Sequence, residues 1–375
     1  MNSTKRLAQT LALYAVLWAV ATLGFAWLWD QWMLSGPHGP YRWEGIDFAP
    51  YWVGTRAMSH HINPYHSDVT RQIQELVYGG PAASNDPMPF VYPAWLFLLV
   101  FPLSLLPYKW AAILFSGALL AATLLFLLKL AHDVGTTRRA QNIWFGILAI
   151  GALPFWVISV TKGQLGYVGL LALFLAYRLF DTMPIAGGIA LSIATLKPSA
   201  TFIPVMVFLI AGLIHKNWKF LLAFLSSMVV LLATSCLAVG NWCGDYVRVL
   251  IRTGDVPVLW SLDILPFPWN AMYGLLFLGI GTWHLWRALG ETKKAWFPIA
   301  VLLNLALVPV HWIYDLFFGY LILVDKKVRG WLDTILVATA VLAPWLLILV
   351  PSNVRGAVAM VSIPLVWALV VWKVR

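Results

Sequence analysis

Apolar runs follow one another along most of the chain, separated by short polar breaks. They predict helices at 7–29, 109–131, 142–160, 165–181, 185–196, 199–215, 217–239, 271–287, 296–310, 312–324, 331–350 and 356–372. Within each run the apolar residues are continuous and do not alternate, the pattern of lipid-embedded helices rather than of a β-barrel. Several runs fall short of the about 20 residues that cross a bilayer. Short runs pair across proline and polar breaks, as at Leu196-Lys197-Pro198-Ser199 and Pro309-Val310-His311-Trp312. The first run is too long for a signal-peptide core and no small-residue cleavage site follows it, so it reads as a retained helix.

One further apolar stretch, 92–107, carries Pro93, Pro102 and Pro107, and proline interrupts helices. Charge decides how to count it. If 92–107 stays in the outer leaflet and the amino terminus is inside, twelve helices return both termini to the cytoplasm. Nine of the 25 Lys and Arg then lie outside (Arg42, Arg56, Arg71, Lys109, Lys162, Lys197, Arg248, Arg252 and Arg355) and the other sixteen inside. That is the positive-inside asymmetry. Counting 92–107 as a crossing would move Arg138 and Arg139 outside and invert every later loop. The expected architecture is an all-α polytopic membrane bundle, one domain over 1–375. Residues 30–108 form a large first outer loop with juxtamembrane helices, and 240–270 a second sizeable one.

Composition agrees with this pattern. The 375 residues are 61% hydrophobic and 11% charged, with mean hydropathy +0.80, where soluble domains have about 45–50% apolar and about 25% charged residues. The net charge of +10 is then mostly topological, and no motif indicates nucleic acid as a partner. Cys236 and Cys243 make no disulfide framework.

In this topology the polar residues worth suspecting share the outer side. They are Asp47 in the first loop, Lys162-Gly163-Gln164 after the third helix, Lys197 between the fifth and sixth, and His311 with Asp315 between the ninth and tenth. Ionisable groups at membrane depth are costly and usually face a cavity. Asp47 lies among Trp43, Phe48, Tyr51 and Trp52, which suits a base beside the faces of a sugar. It also stands where an N-cap would stand for a helix beginning near Phe48. Glu44 is the second candidate base. Lys197, at a proline break, reads either as a phosphate ligand or as a snorkelling lysine. His60, His61 and His66 lack the spacing of a metal site, and no DxD sequence provides a metal–diphosphate clamp, so neither metal nor cofactor is expected.

The order of several short motifs resembles glycosyltransferase family 87, of the GT-C superfamily. It runs from Asp47-Phe48, Tyr51-Trp52, Arg56-Ala57 and Asn63-Pro64-Tyr65 through Phe90-Val91-Tyr92-Pro93-Ala94, Pro102-Leu103 and Leu106-Pro107-Tyr108. It continues with Gly163-Gln164, Ala186-Gly187-Gly188 before Leu196-Lys197-Pro198, and Pro309 with Trp312 and Tyr314-Asp315. The chain departs from the family pattern at Ala94, Gly166 and His311. The resemblance implies an enzyme of a bacterial cytoplasmic membrane, with its site facing the periplasm. It implies transfer of a glycosyl residue, mannose in the best-known cases, from a polyprenyl-phosphate donor to a glycolipid or glycan acceptor. Inverting transfer needs one base for the acceptor hydroxyl and donors for the leaving phosphate. On this reading Asp47 is the catalytic base, and Gln164, Lys197, His311, Asp315, Tyr92, Trp52 and Glu44 bind substrate. Asp315 would orient His311, four residues earlier, and Asp47, Lys197 and His311 would share one outward cavity. The alternative is a non-enzymatic flippase or transporter of lipid-linked saccharides. That would be expected to show repeated halves with matching broken helices, and none is visible.

Overall fold

A computed structural model of the chain describes residues 3–29, 33–36, 39–42, 45–81, 88–253, 265–290, 295–308, 313–346 and 352–374. In chain order its elements are α1 (Ser3–Leu28), a hairpin of β1 (Met33–Gly36) and β2 (Gly39–Arg42), α2 (Ala49–Ser59), α3 (Ser67–Tyr78), a 3₁₀ turn (Ala94–Leu96) running into α4 (Phe97–Ser104), α5 (Tyr108–Val134), α6 (Arg138–Lys162), α7 (Gly166–Leu179), α8 (Pro184–Ala194), α9 (Pro198–Ile214), α10 (Trp218–Val239) and α11 (Cys243–Thr253). Then come α12 (Trp269–Leu276), a π-helical stretch (Phe277–Gly281), α13 (Thr282–Leu289), α14 (Trp296–Leu307), a 3₁₀ stretch (Ile313–Leu323), α15 (Trp331–Leu346) and α16 (Ser352–Lys373). Among the described residues, helical segments overlie the predicted runs, with the 312–324 run wound as 3₁₀ and the 271–287 run interrupted by the π-helical stretch, and the whole is compatible with a membrane helical bundle. Among the described residues, four helices are long and apolar enough to cross a membrane: α1, α5, α6 and α10.

The differences from the hydropathy pattern have local causes. α6 starts earlier than expected because Thr137 caps it, accepting the Ala140 N–H on its hydroxyl at 3.2 Å. A cap sets a helix start even where the first turn is polar. The 3₁₀ turn and α4 together cover only Ala94–Ser104, about 16 Å at 1.5 Å per residue, half the thickness of a bilayer core. The helical part of 92–107 is thus shorter than a bilayer core is thick. The hairpin, which pairs Met33 with Arg42 in antiparallel register, has no counterpart in the hydropathy pattern.

The chain divides into two compact units. The first comprises Met1–Leu125, Ile158–Tyr167 and Met228–Pro257; the second comprises Phe126–Val157, Val168–Ser227 and Val258–Arg375. In the first, α2 packs against α3 and α4. α3 presents Val69, Ile73 and Val77 to the interior, the i, i+4, i+8 stripe of an amphipathic helix. Gly79, in a left-handed conformation, ends it. α1 leans on α5 through Trp18, whose Nε1 donates to the Leu114 carbonyl at 3.1 Å. Its other apolar residues, Val16, Val20, Leu23 and Trp27 among them, stay exposed, a surface unsuited to water.

In the second unit α14 packs against α9, α16 and the 3₁₀ stretch, and α15 against α16. Charged groups gather at one end. Arg178 ion-pairs with Asp133 and, at 2.6 Å, with Asp325; Lys129 reaches Asp133 at 2.5 Å. The Lys327 ammonium donates to the His132 carbonyl at 3.1 Å, and Lys326 to the last carbonyls of α16. The charge count alone assigns Lys129, Arg178, Lys326 and Lys327 to the same side of the membrane.

Candidate functional site

The first unit builds its site at the end of α6. The last carbonyls of a helix lack partners within it. Here Thr161 O accepts the Gly45 N–H at 2.8 Å, and Lys162 O accepts those of Asp47 and Phe48 at 3.0 and 3.1 Å. The turn 45–48 is thereby docked on α6. Two glycines permit it. Gly45 and Gly163 have φ of +70° and +76°, and a Cβ on Gly163 would stand 2.8 Å from the Phe48 Cβ. Backbone in this region favours glycine, and the closeness of the two turns excludes a side chain.

This docking brings Asp47 and Gln164 together. The Gln164 amide Nε2 donates to Asp47 Oδ2. Gln164 is buried and Asp47 half-buried. Asp47 does not cap α2, whose N-cap is Phe48, in helical conformation and without a side-chain cap. The cap reading therefore fails, and the carboxylate is held from the side by an amide.

Tyrosines surround this pair. The fully buried Tyr51 donates its hydroxyl to the Tyr92 hydroxyl at 3.1 Å and accepts the Leu165 N–H at 3.4 Å. Tyr108 donates to the Gly45 carbonyl at 2.7 Å, and Tyr65 to the Tyr92 carbonyl at 2.7 Å. Burial, followed by the neighbouring Tyr92 and the Asp47 charge, holds the Tyr51 hydroxyl protonated well above its usual range. It therefore acts as a donor at any physiological pH. Trp52 braces α2: its Nε1 donates to the Leu106 carbonyl at 3.1 Å, and the Arg56 guanidinium lies 4.7 Å from its ring centroid.

The second unit holds the other pair. Pro198 opens α9 and disfavours helical backbone at the residue before it, so α8 and α9 are separated and Lys197 sits in the break with φ −128°. Its Nζ lies 2.6 Å from Asp315 Oδ1, with the two side chains 10% and 1% exposed. It also lies 4.9 Å from the centroid of the Tyr314 ring. Asn304 of α14 fixes the start of α9, accepting the Ile203 N–H at 3.0 Å and donating to the Ser199 carbonyl at 3.1 Å. The sequence pattern has Asp315 orienting His311 at helical i+4 spacing. Asp315 stands in a 3₁₀ stretch and pairs with Lys197, while His311 lies outside the described residues.

Of the residues singled out in the sequence, the structure thus joins Asp47 with Gln164, Tyr51 and Tyr92, and separately Lys197 with Asp315. The first group belongs to the first unit and the second group to the second. Glu44 and His311 lie outside the described residues. Sequence reasoning missed Asn304, although a lone amide in an otherwise apolar helix signals interhelical bonding. It also passed over Asp133, four residues after Lys129 at the end of an apolar helix. Among the described residues, no three His, Cys, Asp or Glu side chains converge as metal ligands. Comparison with protein-family models, curated proteins and solved structures gives no match. The likeness to glycosyltransferase family 87 is one of ordered residues.

Proposed function

We propose that the chain is an integral-membrane glycosyltransferase with twelve crossings and the GT-C architecture. It would transfer a glycosyl residue from a polyprenyl-phosphate donor to an acceptor hydroxyl at the outer face of a bacterial cytoplasmic membrane. The observation that carries this reading is Asp47: a half-buried carboxylate fixed by Gln164, on a turn docked to α6 and walled by tyrosines. So much local construction around one carboxylate is what a positioned base requires.

In the proposed step the acceptor oxygen attacks the anomeric carbon and its proton passes to Asp47. The bond from that carbon to the phosphate oxygen breaks, and the electron pair leaves with the polyprenyl phosphate. The anomeric configuration inverts. Gln164 keeps the carboxylate aimed; the Tyr92 hydroxyl, fixed by the buried Tyr51, serves the sugar side of the site. Lys197 is the proposed ligand of the phosphate. An ammonium has three donors, so one bond to Asp315 leaves capacity for an anion, and Asp315 fixes where the ammonium sits. A panel of polyprenyl-phosphate sugars tests the reading, with product masses recorded for purified protein in lipid nanodiscs. Mass transfer of one hexose or pentose from one donor supports it. No transfer from any donor, with folded protein, contradicts it and favours a flippase.

A further inference from the structure

The first unit contains an open cleft of about 540 Å³, lined by both polar and apolar residues, that no step of the proposed reaction uses. Ser67, Thr70, Arg71 and Gln74 of α3 form one wall, with Asp68 beside them. Their i, i+3, i+4, i+7 spacing is that of a single helix face. It is separate from the Val69-Ile73-Val77 stripe that anchors the helix. α3 therefore has an apolar face that packs and a second, hydrogen-bonding face that lines a concavity. Tyr65, Pro81, Pro89, Phe90 and Val249 of α11 add apolar surface to the lining. Asp68 and Arg71 are ion-paired at 3.1 Å and largely exposed, so both remain accessible at the rim.

The cleft is tied to the Asp47 site. Tyr65, in its wall, donates to the Tyr92 carbonyl, and the Tyr92 hydroxyl receives that of Tyr51 beside Asp47. Both sites thus share one hydrogen-bonded chain of tyrosines within one unit. α11 is held against the same network by Asn63, whose amide donates to Asp245 at 2.6 Å, and by packing of Tyr246 on Tyr65.

From this geometry we infer that the cleft between α3 and α11 is a binding subsite for a neutral, polyhydroxylated sugar unit, the part of the acceptor glycan that lies away from the reacting hydroxyl. A sugar ring has hydroxyls at its edge and C–H groups on its faces. A lining that mixes carboxylate, guanidinium, amide and hydroxyl groups with aromatic and aliphatic surface matches both. The volume lies within the roughly 300–1,000 Å³ of small-molecule sites, enough for one or two sugar units. The two charges cancel as a pair, which disfavours an anionic ligand. This deepens the transferase reading and rests on it for the word acceptor.

The test is saturation-transfer NMR on the full chain in nanodiscs, with methyl α-mannoside, methyl α-glucoside and methyl β-galactoside as probes. Wild-type protein should bind at least one of them. Arg71→Ala and Gln74→Ala should each weaken that binding by roughly tenfold, the loss expected for one hydrogen bond to a charged or buried group. Both residues lie off the buried Val69-Ile73-Val77 stripe, so the variants should stay folded, checked by thermal unfolding in detergent, and binding of undecaprenyl phosphate should not change. No glycoside binding by wild type, or unchanged binding by both variants, overturns the proposal. Sugar binding that depends on Arg71 and Gln74 without any donor turnover leaves the cleft standing and removes the transferase. Donor turnover with an acceptor KM indifferent to both substitutions does the reverse.

Discussion

At the scale of single residues, two buried polar pairs differ in what they should do when broken. Lys197 and Asp315 are both nearly inaccessible, and removing one partner leaves a charge in an apolar interior. Lys197→Met should therefore destabilise the fold by about 3–5 kcal/mol, read as unfolding in detergent against denaturant or temperature. Lys197→Met combined with Asp315→Leu should recover most of that loss, because no charge is then stranded. A double variant as unstable as the single one would show that the pair is not what the site depends on. Gln164 is the opposite case, since Asp47 remains partly accessible to water. Gln164→Leu should cost little stability but lower kcat by roughly 10²-fold, as when one positioning group is lost from a catalytic site, with little change in donor binding. Asp47, Gln164, Lys197 and Asp315 were all legible as suspects, because ionisable and amide side chains stand out in an apolar chain. Their pairing was not. Asp47 meets Gln164 where two glycine turns dock, and Asp315 meets Lys197 from 118 residues away in the chain. Neither is a property of local hydropathy.

At the scale of elements, the docking of the 45–48 turn on α6 makes Gly163 a point of weakness. Gly163→Ala introduces a Cβ both at positive φ and in collision with Phe48. The expected cost is about 1–3 kcal/mol of stability together with loss of whatever activity depends on Asp47. Gly146, a helical glycine with open space around it, is the control, and Gly146→Ala should be neutral or stabilising. α11 has its own pH signature. Burial pushes the Tyr246 hydroxyl up to about 12, above the value of about 10 it has when exposed. A raised pKa of this kind contributes stability that is complete below about pH 10 and is lost as pH rises towards about 12. α11 should stay protected from hydrogen exchange up to about pH 10 and open above it, and Tyr246→Phe should remove that dependence. The helices themselves were the most legible part of the molecule, since long apolar runs have few alternatives. What hydropathy could not see were the polar determinants of ends and interruptions: the Thr137 cap that starts α6 early, the hairpin at 33–42 and the π-helical stretch within 269–289.

At the scale of the whole molecule, residues that counting Lys and Arg assigns to one side of a membrane meet one another: Asp133, Arg178 and Asp325 on the side assigned as inner, and Asp47 with Gln164 and Lys197 with Asp315 on the side assigned as outer. The proposed topology should hold in cells. With Cys236 and Cys243 replaced by serine, a cysteine introduced in place of Ser67 should react with an impermeant maleimide from outside. One introduced in place of Lys327 should react only after the membrane is opened. Equal labelling at both positions would remove the topology and, with it, the placement of the site. The central claim is that Asp47 is the base of a glycosyl transfer, and one paired measurement tests it most directly. Single-turnover transfer from the accepted polyprenyl-phosphate sugar is compared for wild type and Asp47→Asn, at equal folded fraction and with donor binding measured in parallel. The account predicts that the Asp47→Asn variant binds donor as wild type does and transfers at least roughly 10²-fold more slowly, the range for loss of a general base. Transfer at the wild-type rate by that variant would contradict it.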